Sequence, residues 1–341
     1  MTSYTIGVDL GGTNTRVAAY TKESGLLDPI HMPTRLPDGK SAVIGDICQA
    51  IRHLRDLHSS EMRLVGICVG SPGPLELPAG RLRNLPNFPG WAGFELRATL
   101  EQALGASIVV EHDANLAALA ECLLGKGKTF GIDSLCMLTL GTGVGSGIIC
   151  QGKIWDGMNG MAGEAGHNTI WPDGQACPCG SHGCLEQYAS ASAVRRMVDE
   201  VILKREAPGL AALEKRNPEF SAADVHVLAL AGDPDAKRIF DSVGRALGIG
   251  LASLVNTLNF SLYVVGGGLA NAWELFSPCL FAELHHRSYV YRFTLGQLDG
   301  HEHSSPVTHV EPAALGPEAG ILGACLLPFA ALANDSVTRK D

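Results

Sequence analysis

The chain has 341 residues, 46% hydrophobic and 18% charged, which is typical of a globular protein with about two domains. Its net charge is −9 and its 26 lysines and arginines are scattered, which argues against a surface that binds nucleic acid non-specifically. No window reaches the roughly 18 uninterrupted apolar residues of a membrane helix, and the N-terminus enters a strand without a signal-peptide pattern. We therefore expect a cytoplasmic protein with neither a membrane nor a nucleic-acid partner.

Short runs rich in Val, Ile and Leu predict β-strands along most of the chain. In chain order they cover residues 4–9, 16–20, 64–69, 107–111, 135–140, 147–150 and 261–265. Apolar residues at helical spacing lie between them, and the first such stripe falls in residues 41–57. Further helices are predicted over 114–124, 188–203, 236–258, 271–285 and 318–332. The pattern predicts an α/β fold, in which the Pro- and Gly-containing residues 71–93 form a long functional loop.

Glycine turns separate two pairs of predicted strands. The first lies in VDLGGTNTR at 8–16, where Gly11 and Gly12 are adjacent. The second lies in LGTGVGSG at 140–147 and repeats the strand-turn-strand order, which suggests two related halves. A third glycine cluster, in VVGGG at 264–268, follows a strand and precedes a predicted helix.

Backbone N–H groups in such turns can bind a phosphate chain if no side chain blocks its approach. Gly11 and Gly12 provide that access, Thr13 and Asn14 add short polar donors, and Asp9 could orient a hydrated Mg²⁺. An ordinary hairpin, whose glycines satisfy the turn dihedrals, is the alternative. A dinucleotide-binding turn fits poorly because a strand follows the glycines, and the chain has no G-x-x-x-x-G-K-[ST].

Three of the ten cysteines are clustered. Cys177, Cys179 and Cys184 follow a C-x-C-x4-C spacing, and His167 lies ten residues upstream. Three thiolates and one imidazole would form a closed tetrahedral Zn²⁺ site. A disulfide plus one free thiol is an alternative, as is His182 in the place of the fourth ligand. The other seven cysteines are dispersed, mostly in apolar contexts, which suits a reducing compartment.

Eight short motifs, in order and spacing, resemble the ROK sugar kinases (repressor, open reading frame, kinase), and among them the bacterial glucokinases. They are VDLGGTNTR (8–16), SPGPL (71–75), NLPNFPGW (84–91), HDANLAALAE (112–121), LGTGVGSG (140–147), GEAGH (163–167), CPCGSHGCLE (177–186) and VVGGG (264–268). The resemblance spans nearly the whole chain. It implies a two-domain actin-like ATPase fold, related to ribonuclease H, with a cleft between the domains. We expect residues 1–115 plus 318–341 to form one domain and 116–317 the other.

The resemblance also implies how ATP and Mg²⁺ bind, with the phosphates between the two glycine turns and the adenosine near the third glycine cluster. The residues expected at the nucleotide and its metal are Asp9, Gly11, Gly12, Thr13, Asn14, Thr142, Gly143, Gly266, Gly267 and Gly268. Phosphoryl transfer needs positioning, charge neutralisation and a carboxylate that accepts the hydroxyl proton. Asp113 is the candidate, because it lies at a strand-helix junction and matches the family's general base. From position alone, a helix N-cap is the alternative role.

The expected sugar-binding residues, also carried over from the family, are Gly73, Asn87, His112, Asp113, Glu164, His167 and Glu186. For isolated Glu or Asn residues, a solvated surface role is the alternative. His112 departs from the family pattern, which usually has Asn there; a His is bulkier and titrates near neutral pH, and it could equally be structural. The family supports His167 as the fourth zinc ligand, with its other ring nitrogen facing the sugar.

Three other functions share parts of this pattern. A ROK repressor carries a DNA-binding region before the motifs, whereas VDLGG begins eight residues from the start here. A related ATPase that binds a protein would lack E-x-G-H and the cysteine cluster. A kinase for N-acetylglucosamine, N-acetylmannosamine, mannose, fructose or allose stays open, although LPNFPGW favours glucose. The sequence thus predicts a hexokinase of the glucokinase type, dependent on ATP and Mg²⁺, with structural Zn²⁺ and a homo-oligomeric state.

Overall fold

The structure is a computed structural model that describes residues 1–83, 88–204, 207–295 and 307–338. These residues form two compact units. Unit 1 comprises residues 1–134, 147–163 and those from 317 onward, and unit 2 comprises 135–146 and 164–316. The division expected from the sequence differs from these units at 116–134 and 147–163, which lie in unit 1. The C-terminal helix also lies in unit 1.

The strands begin and end close to the predicted positions, and further strands occur where none was predicted. They are β1 (Thr2–Leu10), β2 (Asn14–Thr21), β3 (Gly25–Pro33), β4 (Met62–Ser71), β5 (Leu75–Glu76), β6 (Arg81–Leu82), β7 (Ile108–His112), β8 (Leu135–Leu140), β9 (Val144–Cys150), β10 (Lys153–Ile154), β11 (Leu262–Gly266) and β12 (His309–Pro312). The short strands β5 and β6 pair within the predicted loop 71–93.

Two sheets built from these strands share one topology. The first has the order β3-β2-β1-β4-β7 and the second β10-β9-β8-β11-β12. In the first, β1 pairs antiparallel with β2 and parallel with β4, which is itself parallel to β7. In the second, β8 is parallel to β11, which is parallel to β12. The shared order agrees with the two related halves suggested by the repeated glycine turns.

Helices follow or separate the strands in both units. They are α1 (Lys40–His58), α2 (Leu96–Leu104), α3 (Asp113–Leu123), α4 (Lys126–Phe130), α5 (Glu186–Ala189), α6 (Ala191–Lys204), α7 (Pro208–Arg216), α8 (Ala222–Leu230), α9 (Pro234–Leu258), α10 (Trp273–Arg287), α11 (Tyr289–Phe293) and α12 (Ala319–Thr338). Short 3₁₀ helices cover Leu36–Asp38, Ala165–His167, Gly268–Ala272 and Gly316–Glu318. Within the part of the chain that the structure describes, no helix has the length and apolar character needed to cross a bilayer.

Apolar periodicity decides which helix faces are buried. In α1 the predicted stripe of Val43, Ile47, Ile51 and Leu54 is buried and joins the core of unit 1. Asp233 caps α9 by accepting hydrogen bonds from the Asp235 and Ala236 N–H groups. A cap of this kind satisfies amides that have no partner within the helix.

The single helix predicted over 188–203 is wrong, because α5 and α6 are separated at Ser190. Ser190 has extended backbone angles, φ −106 and ψ 165. Its hydroxyl accepts the Ala193 N–H at 3.0 Å, so it stabilises the start of α6 in the manner of a serine N-cap. The helix predicted over 271–285 begins instead as the 3₁₀ turn Gly268–Ala272 and continues as α10.

The C-terminal helix α12 packs within unit 1 on β1, β4 and α3. The Thr5 hydroxyl donates to the Cys325 carbonyl at 2.7 Å, which ties β1 to the helix. Gly7 of β1 packs against Cys325 of α12, and a Cβ added to Gly7 would lie 2.6 Å from the Cys325 sulfur. A glycine on the strand therefore lets the helix approach closely, and α12 begins beside the functional end of β1.

Candidate active site

Asp113 occupies the first turn of α3, immediately after β7. The N-cap is His112 rather than Asp113, so the capping role considered for Asp113 is wrong. The Ala114 N–H is shared between the two side chains, at 3.2 Å from His112 Nδ1 and 2.7 Å from Asp113 Oδ1. The Asp113 side chain is 40% exposed. One oxygen thus holds the carboxylate on the helix end, and the side chain stays accessible to a ligand.

His112 packs on Gly73, another expected sugar-binding residue. There is no space for a Cβ at Gly73, because it would overlap the Cδ2 and Nε2 atoms of the His112 ring. The His112 Nδ1 atom lies 3.2 Å from the Ala114 nitrogen and 3.3 Å from Asp113 Oδ1, so the ring contacts both the helix start and the carboxylate. The structure therefore brings Gly73, His112 and Asp113 together in unit 1, whereas Asn87 lies outside the described residues.

Behind Asp113, the buried carboxylate of Glu111 organises the start of α3. Its Oε1 accepts the His112 N–H at 2.7 Å and the Asn115 amide at 3.0 Å. Burial raises the pKa of Glu111 to about 7, and the charge of Asp156 adds to the rise while the Asn115 hydrogen bond opposes it. The raised pKa means that the site holds a carboxyl group able to change charge near neutral pH.

Asp9, near the end of β1, is a half-buried carboxylate of unit 1. Burial raises its pKa to about 6, the nearby charge of Asp113 raises it further, and Arg16 opposes the rise. Arg16 lies directly across the β1–β2 pair from Asp9 and donates to the Pro317 carbonyl. Two carboxylates whose charges repel each other fit the binding of a divalent metal, which would relieve the repulsion.

The first glycine turn joins β1 to β2. Gly11 N–H donates to the Asn14 carbonyl at 3.0 Å and closes the turn. Gly12, Thr13 and Asn14 are exposed. A turn with exposed glycine amides and short polar side chains can bind an anion.

The second glycine turn, between β8 and β9, is closed in the same way. Gly141 N–H donates to the Gly143 carbonyl at 2.9 Å, and the Ser192 hydroxyl donates to the Thr142 carbonyl at 2.8 Å. Glu186 also reaches this turn, since its Oε2 accepts the Val144 N–H at 2.9 Å. Its carboxylate fills the space that a side chain at Gly143 would need. The sequence assigned Glu186 to the sugar, and the structure shows that one of its oxygens holds the turn.

The third glycine cluster lies beside the second turn within unit 2. Gly266 ends β11, and Gly267 has φ +85, a conformation that favours glycine. A Cβ on Gly267 would overlap the Leu140 carbonyl, which ends the strand before the second turn. Gly268, in contrast, has nothing within 4 Å of an added Cβ and faces open space. The structure thus brings Gly267 and the second turn together, as expected of a shared nucleotide site.

The cysteine cluster brings its expected ligands together. One ligand atom each of His167, Cys177, Cys179 and Cys184 lies within 4.8 Å of all the others. The His167 Nδ1 and Cys177 sulfur are 3.7 Å apart, as are the sulfurs of Cys179 and Cys184. A disulfide has an S–S distance of about 2.0 Å, so none joins this pair. In tetrahedral zinc sites with Zn–S bonds of about 2.3 Å, the sulfurs lie about 3.8 Å apart. The four residues therefore fit zinc, with His167 rather than His182 as the imidazole ligand.

His167 connects this cluster to Glu164, which precedes the 3₁₀ turn Ala165–His167. The His167 N–H donates to the Glu164 carbonyl at 3.0 Å. Because Nδ1 faces Cys177, the other ring nitrogen is available on the opposite side. Gln187 supports the cluster from α5 and donates its amide to the Cys177 sulfur at 3.6 Å. A metal in the cluster would fix the orientation of the His167 ring.

Several contacts at these sites involve residues that sequence reasoning missed. They are Thr34, Glu111, Asn115, Gln187, Ser192 and Gly320. Glu111 precedes the quoted motif by one residue, and its burial at the end of a strand was the available signal. The others make contacts with residues distant in the sequence or depend on how the helices pack, which residue spacing alone does not show.

The profile of the ROK family matches residues 5–330. The chain belongs to the ROK family. It is 36% identical over 321 residues to a glucokinase of Halalkalibacterium halodurans, an alignment that covers 93% of this chain and 92% of that one. The motif resemblance had identified the same family.

Two solved ROK structures have the same fold. The ROK hexokinase of Thermus thermophilus is 31% identical, with a TM-score of 0.76 and coverage of 97% of this chain and 99% of that one. A ROK glucokinase of Streptomyces griseus, solved with glucose and AMPPNP, is 32% identical, with a TM-score of 0.75 and coverage of 95% and 98%. The fold of this ROK chain is therefore the α/β fold of the actin-like ATPase superfamily, as the motifs implied.

Proposed function

We propose that this ROK protein is a hexokinase of the glucokinase type, which transfers the γ-phosphoryl group of ATP to the 6-hydroxyl of glucose. The observation that carries the proposal is the placement of Asp113, whose exposed carboxylate lies at the start of α3 beside His112 and Gly73. The names of the glucokinase relatives support the reaction, and the glucose and AMPPNP of the Streptomyces griseus structure support the two substrates.

Asp113 acts as the general base. Its Oδ1 is held by the Ala114 N–H, so the carboxylate keeps one orientation while it accepts the proton of the 6-hydroxyl. The freed oxygen attacks the γ-phosphorus and ADP leaves. Amide groups of the two glycine turns stabilise the charge that develops on the phosphoryl oxygens. Thr13 and Thr142 contact the phosphates, and Gly266, Gly267 and Gly268 lie at the adenosine.

Asp9 would hold Mg²⁺, which neutralises phosphate charge when it is bound. Asp9 is suited to this because it lies near a second carboxylate, that of Asp113, and its pKa of about 6 leaves it mainly ionised at neutral pH. His167, Cys177, Cys179 and Cys184 would hold Zn²⁺ in a structural site, with all four positions filled by protein.

The sugar hydroxyls are bound by Glu164, His167 and Glu186, with Gly73, Asn87 and His112 as further contacts. Paired polar side chains of this kind select a sugar by its hydroxyls, because an analogue that lacks one leaves a buried partner unpaired. Glu186 has one oxygen on the second glycine turn, so its Oε1 is the atom assigned to the sugar.

Membership of the ROK family also leads us to propose that the protein is cytoplasmic and forms a homo-oligomer. Light scattering would measure the mass of the oligomer.

A coupled assay tests the proposal. The purified chain is incubated with MgATP and, in turn, glucose, mannose, fructose, allose, N-acetylglucosamine and N-acetylmannosamine, and ADP release is measured. Glucose 6-phosphate is measured separately with its dehydrogenase. We expect the highest kcat/KM with glucose and one glucose 6-phosphate for each ADP. A higher kcat/KM with an N-acetylhexosamine would assign the other substrate class, and no ADP release with any sugar would refute kinase activity.

A further inference from the structure

Thr34, just after β3, lies behind the first glycine turn and contacts it twice. Its N–H donates to the Thr13 carbonyl at 2.8 Å, and its hydroxyl donates to the Gly11 carbonyl at 2.8 Å. The Thr34 hydroxyl also lies 2.8 Å from the Thr15 hydroxyl. A hydroxyl has one hydrogen, which Thr34 uses on Gly11, so Thr15 must be the donor in the second contact. The hydrogen bonds therefore run from Thr15 to Thr34 and on to the turn.

These contacts fix which way the peptide groups of the turn face. The carbonyls of Gly11 and Thr13 are directed to Thr34, and the carbonyl of Asn14 accepts the Gly11 N–H. Within the described part of the chain, the N–H groups of Gly12 and Thr13 have no hydrogen-bond partner, and both residues are exposed. The Gly11 carbonyl shares a rigid peptide plane with the Gly12 N–H, and the Thr13 carbonyl shares one with the Asn14 N–H. Holding these two carbonyls on Thr34 therefore directs the N–H groups of Gly12 and Asn14 to the other side.

We infer that Thr34 is a positioning residue of the nucleotide site, holding the first glycine turn so that its free amides face the ATP phosphates. The inference rests on the proposed function, since it takes this turn to be the phosphate-binding turn. Thr34 itself touches no phosphate. It acts through the backbone of Gly11 and Thr13, and its contribution is to set their orientation before the nucleotide binds.

Because Thr34 is buried, the loss of its hydroxyl should disturb the first glycine turn. Thr34 is 8% exposed and Thr15 is 1% exposed. If the Thr34 hydroxyl is removed, the Thr15 hydroxyl and the Gly11 carbonyl lose their partner in a place with little access to water. Leaving buried groups unpaired is costly, so the turn would shift to find new partners.

Two substitutions of Thr34 separate its hydroxyl from its shape. Thr34→Val keeps the branched shape and removes the hydroxyl, whereas Thr34→Ser keeps the hydroxyl. The matched control is Thr308→Val in unit 2, because Thr308 is also buried and its hydroxyl lies 2.7 Å from that of Thr294. Both valine variants lose one hydroxyl from a buried threonine that pairs with another threonine, and of these two residues only Thr34 contacts the first glycine turn.

The primary measurement is calorimetric titration of ADP and AMPPNP into each variant, with steady-state KM for ATP and for glucose. For Thr34→Val we expect nucleotide affinity to fall about tenfold and the KM for ATP to rise by a similar factor. The KM for glucose should change less than about twofold, and Thr34→Ser and Thr308→Val should stay within about twofold of wild type. If Thr34→Val does not fold, Thr34→Ala takes its place in the same comparison.

Unchanged nucleotide affinity in folded Thr34→Val would overturn the inference. So would equal losses in Thr34→Val and Thr308→Val, or a failure of Thr34→Ser to retain affinity, because each would point to general stability or packing. The titrations need no sugar and no turnover. A wild-type protein that binds nucleotide but phosphorylates no hexose would therefore refute the proposed function and still test Thr34.

Discussion

The carboxylate of Asp9 lies against Gly320, the second residue of α12. A Cβ on Gly320 would be 3.1 Å from Cγ and Oδ2 of Asp9 and 3.2 Å from Oδ1. These distances are shorter than ordinary van der Waals contact, so a methyl group at position 320 would press on the Asp9 carboxylate. The start of the C-terminal helix thus sets the position of the carboxylate that we assign to the metal.

We predict that Gly320→Ala displaces Asp9 and impairs turnover. A shift of a few tenths of an ångström in a charged group at a phosphate site should lower kcat by about tenfold. The control is Gly45→Ala in α1, where an added Cβ meets nothing within 4 Å. That variant should keep wild-type kcat and gain up to about 1 kcal/mol of stability, because alanine favours helix. If folded Gly320→Ala and folded Gly45→Ala had the same kcat, the contact between Gly320 and Asp9 would not be important for activity.

If the cysteine cluster binds Zn²⁺ as proposed, removal of the metal should weaken sugar binding and spare nucleotide binding. Cys179→Ser removes one of the four ligands gathered around the site, which frees the His167 ring to turn. We expect zinc content to fall, measured by mass spectrometry of the metal, and the KM for glucose to rise at least about tenfold. The KM for ATP should stay within about twofold.

Cys150→Ser is the control for this prediction, since Cys150 is a free cysteine at the end of β9 that does not belong to the cluster. It should keep both zinc and wild-type kinetics. Wild type treated with a chelator should reproduce the Cys179→Ser result. Equal losses of glucose and ATP binding would count against the proposal that the metal acts on sugar binding by orienting the His167 ring. They would indicate instead that the folding of unit 2 as a whole depends on the metal.

Glu111 makes folding stability depend on pH. Its folded-state pKa of about 7 lies above the ordinary 4.5, mainly because of burial. The stability contributed by its protonated form is complete below pH 4.5 and is lost as the pH rises through about 7. Glu111→Gln is neutral at every pH, and its amide oxygen can accept from the same two donors. Between pH 5 and pH 8, roughly, the wild type should therefore lose about 2 kcal/mol relative to Glu111→Gln.

Urea denaturation of both proteins across that pH range gives the free energies of unfolding. The exposed Glu219 supplies a control, because Glu219→Gln should follow the pH dependence of wild type. A difference between wild type and Glu111→Gln that stays constant with pH would show that Glu111 titrates as it does in the unfolded chain.

The long, strongly patterned elements of the fold could be predicted from the sequence. The apolar stripe of α1 and the apolar run of β1 each bury residues against the core of unit 1, so their spacing carries the information. The strand β3 was missed because its residues are half-buried or exposed, and its sequence GLLDPIHMP includes two prolines. Missing β3 also hid Thr34, which follows its end.

The residues of the candidate site were predictable where a motif carries them, and their contacts were not. The cysteine spacing predicted the cluster, because few arrangements place three cysteines and a histidine so closely. The contact between Asp9 and Gly320 joins residues more than 300 positions apart, and it depends on how α12 packs. The hydrogen bond from Val144 to Glu186 likewise depends on where α5 begins, which periodicity predicted incorrectly.

The substitution Asp113→Asn tests whether Asp113 is the base that accepts the proton of the sugar. The amide keeps the size of the side chain and the oxygen that accepts the Ala114 N–H, but it cannot accept the proton. The exposed Asp56 in α1 supplies the control, Asp56→Asn. We expect kcat of Asp113→Asn to fall by a factor of about 10³ or more, with the glucose dissociation constant within a few fold of wild type. A folded Asp113→Asn protein that retains most of its turnover would contradict the account.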